Sequence, residues 1–271
     1  MKVGGGLNYV TGPMGAGKSL FGVRTITRYL MTHRYAITNV ELLPDAFDRI
    51  ARHVAPLGSV EKRRRIADGL RRFYVFERDL EQAMRYMPPR GREEGRALLM
   101  WDESQNDLNN RSYRARDEKF KNEKSGGNAM LEWATQFRKL GYSAFLLSQH
   151  HENTDAQLRR VCNHLVRLQN QRENVRLLGV RVTPIPLFIA AWYPAHLAVS
   201  AGKQTQPKPV KIDRYFLSWH RNLYDTHGLY HGLEAMPDHD WIMLPVGGRE
   251  IARSATRPTA GDDPTEAALS A

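Results

Sequence analysis

Gly12-Pro13-Met14-Gly15-Ala16-Gly17-Lys18-Ser19 follows the short apolar run Leu7 to Thr11 and precedes a proline-free stretch, Leu20 to Thr32. The order is strand, glycine-rich turn, helix. Successive backbone N–H groups in such a loop converge on phosphate oxygens, and the N-terminus of the following helix adds the positive end of its dipole. Within the octet, Lys18 is placed to reach the β- and γ-phosphates of a nucleoside triphosphate, and the Ser19 hydroxyl to ligate Mg²⁺. Gly12 and Gly17 suit positions where a Cβ would obstruct the turn or the phosphate. A chance glycine-rich loop would not be expected to carry the Gly-Lys-Ser ending in a strand–helix setting. The octet Gly12, Pro13, Met14, Gly15, Ala16, Gly17, Lys18 and Ser19 therefore reads as the binding site for ATP and Mg²⁺.

Two later segments end where that loop would lie. Ala97-Leu98-Leu99-Met100-Trp101 is continuously apolar, as a strand buried on both faces should be, and it runs into Asp102-Glu103. Asp102 reads as a metal carboxylate and Glu103 as the group that polarises an attacking water, although an acidic pair opening a helix would look the same. Ser143 to Ser148 reads as another buried strand with Gln149 at its end. There a glutamine can sense the γ-phosphate and orient water. All three groups fall at the carboxyl ends of strands, where parallel sheets bind ligands. The expected catalytic set is Lys18, Glu103 and Gln149, with Ser19 and Asp102 on the metal.

Read along its length, the chain alternates strands and helices through residue 172. Strands are expected at 7–11, 35–39, 73–76, 97–101, 143–148 and 164–169, with helices at 18–32, 77–87, 128–140 and near 155–160. Residues 44–70 read as irregular or helical. This pattern predicts an α/β fold with a mostly parallel sheet covered by helices. From 173 to 246 strand-like runs and prolines suggest a mostly β, antiparallel extension. Within it, Leu187 to Tyr193, bounded by Pro184, Pro186 and Pro194, reads as an edge strand rather than a membrane span. Residues 247–271, poor in large apolar groups, read as a disordered tail.

The chain has 271 residues and a net charge of +11, so a polyanionic partner is expected. The excess is concentrated at 61–72, around Lys62-Arg63-Arg64-Arg65, and at 111–124, where arginines and lysines interleave with Tyr113 and Phe120. Cations beside aromatics can grip a phosphate backbone and stack on bases, so DNA is the expected partner. The 61–72 cluster equally suits acidic lipid headgroups. The single cysteine, Cys162, excludes an internal disulfide and fits a reducing compartment, with the cytoplasm as the expected location. His150-His151-Glu152 lacks the helical spacing of a zinc helix and reads as a polar loop beside the nucleotide.

Taken together, these segments resemble the Zot family of zonula-occludens-toxin-like and filamentous-phage assembly ATPases, among the FtsK–HerA-type pumps. The resemblance rests on the Gly12–Ser19 loop, Thr38-Asn39-Val40, Trp101-Asp102-Glu103-Ser104-Gln105, Phe137-Arg138-Lys139-Leu140-Gly141, Leu147-Ser148-Gln149, Asp155 to Arg160 and Leu223-Tyr224-Asp225-Thr226. It implies a P-loop NTPase of the RecA/ASCE kind and an ATP-hydrolysing motor for virion extrusion, packaging or DNA transfer, with a phage or membrane assembly partner, in the cytoplasm of a bacterial host or peripheral at its inner membrane. It also implies a homo-oligomeric ring in which an arginine, with Arg138, Arg159 and Arg160 as candidates, completes a neighbour's site. The transmembrane helix typical of the family has no counterpart here, which leaves the secretion role open. Two other readings stand beside the motor: an assembly protein using ATP as a switch, and a small-molecule kinase.

Overall fold

The computed structural model describes residues 6–87, 95–108, 129–137, 139–150, 156–171, 176–177, 180–181, 187–195, 208–216, 219–224 and 242–243. Its frame is an eight-stranded sheet in the order β11 (Lys211–Phe216), β10 (Leu187–Pro194), β7 (His164–Asn170), β1 (Leu7–Thr11), β6 (Tyr142–Ser148), β5 (Ala97–Trp101), β2 (Tyr35–Thr38) and β3 (Tyr74–Phe76). The six parallel members are β1, β2, β3, β5, β6 and β7. β1 lies between β6 and β7, with Val10 opposite both Leu147 and Val166. The strand that feeds the glycine loop is therefore central, and it is buried throughout.

Alternation along the strands sorts side chains to two cores. On one face Val10, Leu98, Met100, Phe145 and Leu147 pack with Leu20, Phe21, Val23 and Ile26 of α1 (Lys18–Met31). Phe47 and Ile50 of α2 (Ala46–Val54) and Ala67 and Leu70 of α3 (Val60–Arg71) extend that core. On the other face Tyr9, Leu99, Trp101, Tyr142 and Leu146 meet Leu80 and Ala83 of α4 (Leu80–Arg85), Trp133 of α5 (Ala129–Gln136) and Leu158 of α6 (Ala156–Val161). Strands covered on both faces are mostly apolar, and every residue of β1, β5 and β6 is buried. The polar members Asn8, Thr11, Ser143 and Ser148 are buried with the rest, Asn8 Nδ2 donating to Gly6 O at 3.0 Å. The α/β, mostly parallel architecture is thus as expected.

The stretch 44–70 resolves into the hairpin of α2 and α3, with Ser59 Oγ accepting from Lys62 N at 3.2 Å to cap the second helix. The helix expected over 77–87 is shorter, starting after the Asp79 cap and giving way to β4 (Tyr86–Met87). The helix expected over 128–140 ends at Gln136, and Phe137 continues its buried stripe from the following turn.

Antiparallel strands do complete the sheet at its C-terminal end, but the edge-strand expectation for 187–193 is overturned. β10 (Leu187–Pro194) pairs with β7 on one side and with β11 (Lys211–Phe216) on the other. Pro194 is tolerated because it is the last residue of the strand, where a missing N–H interrupts no ladder. β11 is the edge. Short two-stranded ladders join β8 (Arg176–Leu177) to β9 (Val180–Arg181) and β4 to β12 (Ile242–Met243). The expected tail, 247–271, lies outside the described residues. Among the described residues no helix is long and apolar enough to cross a membrane.

Candidate nucleotide-binding site

The site forms where β1, β5 and β6 end. After Thr11 the chain turns through Gly12–Gly17, and Ala16 N donates to Pro13 O at 3.1 Å across the turn. Gly17, at φ 84°, precedes α1 with no side-chain cap, and no acidic residue occupies the first turn. The N–H groups that open α1 thus meet no capping side chain, in keeping with an anion seat. A Cβ on Gly15, at φ 76°, would meet nothing within 4 Å, so the loop's turn opens onto free space. Gly12 and Gly17 serve the turn as expected, since a Cβ on Gly12 would lie 2.9 Å from Ala16 Cβ within the loop and Gly17 takes a left-handed φ, and they serve packing as well. A Cβ on Gly12 would lie 2.8 Å from Leu168 O, and one on Gly17 2.6 Å from the Phe188 ring, so close packing of the loop onto β7 and β10 requires them.

Lys18 Nζ curls over the loop, donating to Gly12 O at 2.8 Å and Pro13 O at 3.1 Å. Burial lowers its pKa, while Asp102 and Glu103 oppose the shift. Ser19 Oγ donates to Asp102 Oδ2 at 2.8 Å, joining the start of α1 to the end of β5. Asp102 is only 9% exposed. Burial raises its pKa above the usual carboxylate range, against the hydrogen bonds from Ser19 and the Glu103 amide. A buried anionic oxygen beside a serine hydroxyl and under a phosphate loop is a donor set that fits Mg²⁺.

Asp102 and Glu103 are held by contacts that the strand pattern does not reveal. Asn39 follows β2, and its side chain clamps the Asp102 backbone, Nδ2 donating to Asp102 O at 2.9 Å and Oδ1 accepting from Asp102 N at 2.8 Å. One step on, Glu103 adopts φ 50° with its carboxylate exposed. That left-handed backbone is unfavourable for a glutamate. Three bonds over-determine it: Glu103 N to Asp102 Oδ1 at 2.9 Å, and Ser104 N and Oγ to Leu147 O at 2.8 and 2.9 Å. Asn106 Nδ2 also donates to Glu103 Oε2 at 3.2 Å. Thr38-Asn39 belonged to the family resemblance, but nothing in the residue pattern gave Asn39 this position.

Gln149 enters through its backbone, its carbonyl accepting from Thr11 Oγ1 at 3.1 Å, which fixes the end of β6 beside the start of the loop. Its neighbour His150 accepts through its carbonyl from Tyr9 OH at 3.3 Å and Ser148 Oγ at 3.1 Å. His151 and Glu152 lie outside the described residues. A 3-10 helix, Trp219–Leu223, brings in the late segment, with Leu43 N donating to Leu223 O at 2.8 Å. Tyr224 follows; its hydroxyl pKa is pushed up to about 12, by burial first and then by the Asp102 carboxylate. The structure therefore gathers Lys18, Ser19, Asp102 and Glu103 into one electrostatic unit, with Gln149 at the adjacent strand end. Arg159 is half-buried and Arg160 exposed on α6, while Arg138 is outside the described residues.

The family model described as Zonular occludens toxin (Zot) matches residues 7–178. No curated protein sequence matches the chain. The N-terminal domain of zonular occludens toxin from Neisseria meningitidis is a similar solved structure, 13% identical, covering 82% of this chain and 100% of that one, with a TM-score of 0.40. The RadB recombinase is 16% identical, covers 83% and 92%, and has a TM-score of 0.41. The genome packaging NTPase of Sulfolobus turreted icosahedral virus 2 is 12% identical, covers 60% and 74%, and has a TM-score of 0.32.

Proposed function

The chain belongs to the zonular occludens toxin (Zot) family, and from that premise and the site's geometry we propose that it is an ATP-hydrolysing motor of phage or mobile-element origin, driving virion assembly or DNA translocation. The observation that carries the proposal is the 2.8 Å Ser19–Asp102 hydrogen bond beneath the glycine loop. It supports a metal seat between the phosphate loop and the second strand end. There Ser19 and Asp102 would hold Mg²⁺, which supplies positive charge against the phosphate oxygens.

The chain's own residues supply the rest. The loop amides and Lys18 bind and orient the triphosphate, and Lys18 must exchange its bonds to Gly12 O and Pro13 O for phosphate oxygens. Glu103, exposed beside the metal seat, takes the proton of the attacking water, and Gln149 orients that water. Hydrolysis of this kind depends on positioning and charge stabilisation more than on covalent chemistry. An arginine from a neighbouring subunit adds about 10³–10⁵ in rate where it is used. Arg160, exposed on α6, is better placed for that than the half-buried Arg159.

DNA is the proposed cargo and the 111–124 segment, outside the described residues, its first contact. Phosphate release by the full chain, measured with and without DNA over a salt series, tests the proposal. ATP should be hydrolysed faster with DNA, the stimulation should fall steeply as salt rises, and Lys18→Ala should abolish turnover. Phosphate transfer to a small acceptor with no response to DNA would replace the motor with a kinase.

A further inference from the structure

The α2–α3 hairpin ends in a tip that the core does not use. Leu57 is 100% exposed, Val60 76% and Val54 48%, three of the seven large apolar side chains left open among the described residues. The tip is nonetheless a built turn. Ala55 N donates to Ala51 O at 2.9 Å, Gly58 N to Ala55 O at 3.1 Å, and Ser59 caps α3. His53 stacks on Trp219 at 4.2 Å, so the C-terminal end of α2 is anchored to the body. Leu57 is thus presented by ordered structure.

Cations surround this apolar point. Between 52 and 65 the chain carries Arg52, Lys62, Arg63, Arg64 and Arg65 against one carboxylate, Glu61, which pairs with Arg65 at 2.5 Å. At about 1.5 Å per residue, Val60 to Arg65 spans roughly 8 Å of helix axis, so every one of these charges on α3 lies within about a Debye length of the tip. Arg52, Lys62 and Arg64 are exposed and enter no ion pair among the described residues.

We propose that the α2–α3 tip docks on an anionic lipid surface, Leu57, Val60 and Val54 inserting among the acyl chains while Arg52, Lys62, Arg63 and Arg64 meet the headgroups. Exposed aliphatic side chains contribute nothing to a phosphate backbone, so DNA leaves half of the feature unexplained. Three aliphatic side chains at a hairpin tip also fall well short of the roughly 800 Å² per partner that a stable protein interface buries. A bilayer asks for less. Partial insertion of a few apolar groups together with a cluster of basic ones gives reversible adhesion to anionic membranes.

Co-sedimentation of the full chain tests this, using vesicles of phosphatidylcholine alone and vesicles containing phosphatidylglycerol, with duplex and single-stranded DNA binding measured in parallel. The chain should bind the anionic vesicles and not the neutral ones. Leu57→Asp should weaken that binding about tenfold or more, with ATP turnover and DNA affinity unchanged. Lys62→Gln with Arg64→Gln should weaken it about 25-fold at two headgroup contacts. Because Leu57 touches no core residue, its substitution leaves the fold intact, and an unchanged melting temperature checks that directly. Vesicle binding that ignores Leu57→Asp would overturn the proposal, as would a Leu57→Asp chain that loses DNA affinity or changes its oligomeric size instead. None of these outcomes depends on whether the chain hydrolyses ATP.

Discussion

Asp102 is held in its folded position at a cost. Its raised pKa means that the ionised carboxylate is less stable in the fold than in the unfolded chain. Between the unfolded value of 3.8 and the raised folded value, the folded state binds more protons, so stability falls as pH rises through that window. Above that window the penalty is fully present. Asp102→Asn should therefore raise the melting temperature of the ligand-free chain, since the amide oxygen can still accept from the Glu103 N–H while the amide NH2 donates to Ser19 Oγ. The same substitution should cut Mg²⁺-dependent turnover by about 100-fold or more. A lower melting temperature would mean that the carboxylate is a structural anchor, and unchanged turnover that it is not a metal ligand. Much of this was legible beforehand: Lys18, Ser19, Asp102 and Glu103 all stand where a glycine loop and an apolar run place them. The Asn39 clamp and the left-handed Glu103 were not, because they depend on which strand lies beside β5 and on a backbone angle. Neither leaves a mark in residue pattern.

At the scale of elements, the 3-10 helix Trp219–Leu223 joins the hairpin to the site. Trp219 stacks on both His53 and His220 with centroids 4.2 Å apart, Arg49 Nη1 donates to Asn222 O at 2.7 Å, and Leu223 meets Leu43. His220 is 8% exposed. Its pKa is lowered to about 4, by burial first and then by Arg24, Arg28 and His53. Below pH 6.5 the unfolded chain takes up a proton that the folded chain refuses, so this contribution is full above 6.5 and drains away as pH falls toward 4. Urea melts at pH 7 and pH 5 should differ by about 2 kcal/mol more for the wild-type chain than for His220→Gln. Equal acid sensitivity in the two chains would remove His220 as the cause. Helix boundaries were the least legible feature at this scale. Pro56 and Gly58 break the periodicity over 44–70, and only tertiary packing shows a helix on each side. β10 misled for a related reason: prolines flanking a strand mimic an edge, whereas the β11 partner comes from more distant sequence, Lys211–Phe216.

For the molecule as a whole, the parallel sheet places the ends of β1, β5 and β6 side by side, and the account stands on what that adjacency creates. Fold class was readable because two-sided burial favours mostly apolar strands, and strand–helix alternation leaves a parallel sheet as the solution. Three strand ends then deliver the glycine loop, Asp102 with its neighbour Glu103, and Gln149 to one place, an arrangement that supports the proposed hydrolysis. The most direct test pairs ATP binding with phosphate release in Glu103→Gln. The prediction is Mg²⁺-ATP affinity within about threefold of wild type and turnover lower by about 100-fold or more. Wild-type turnover in that variant would contradict the account.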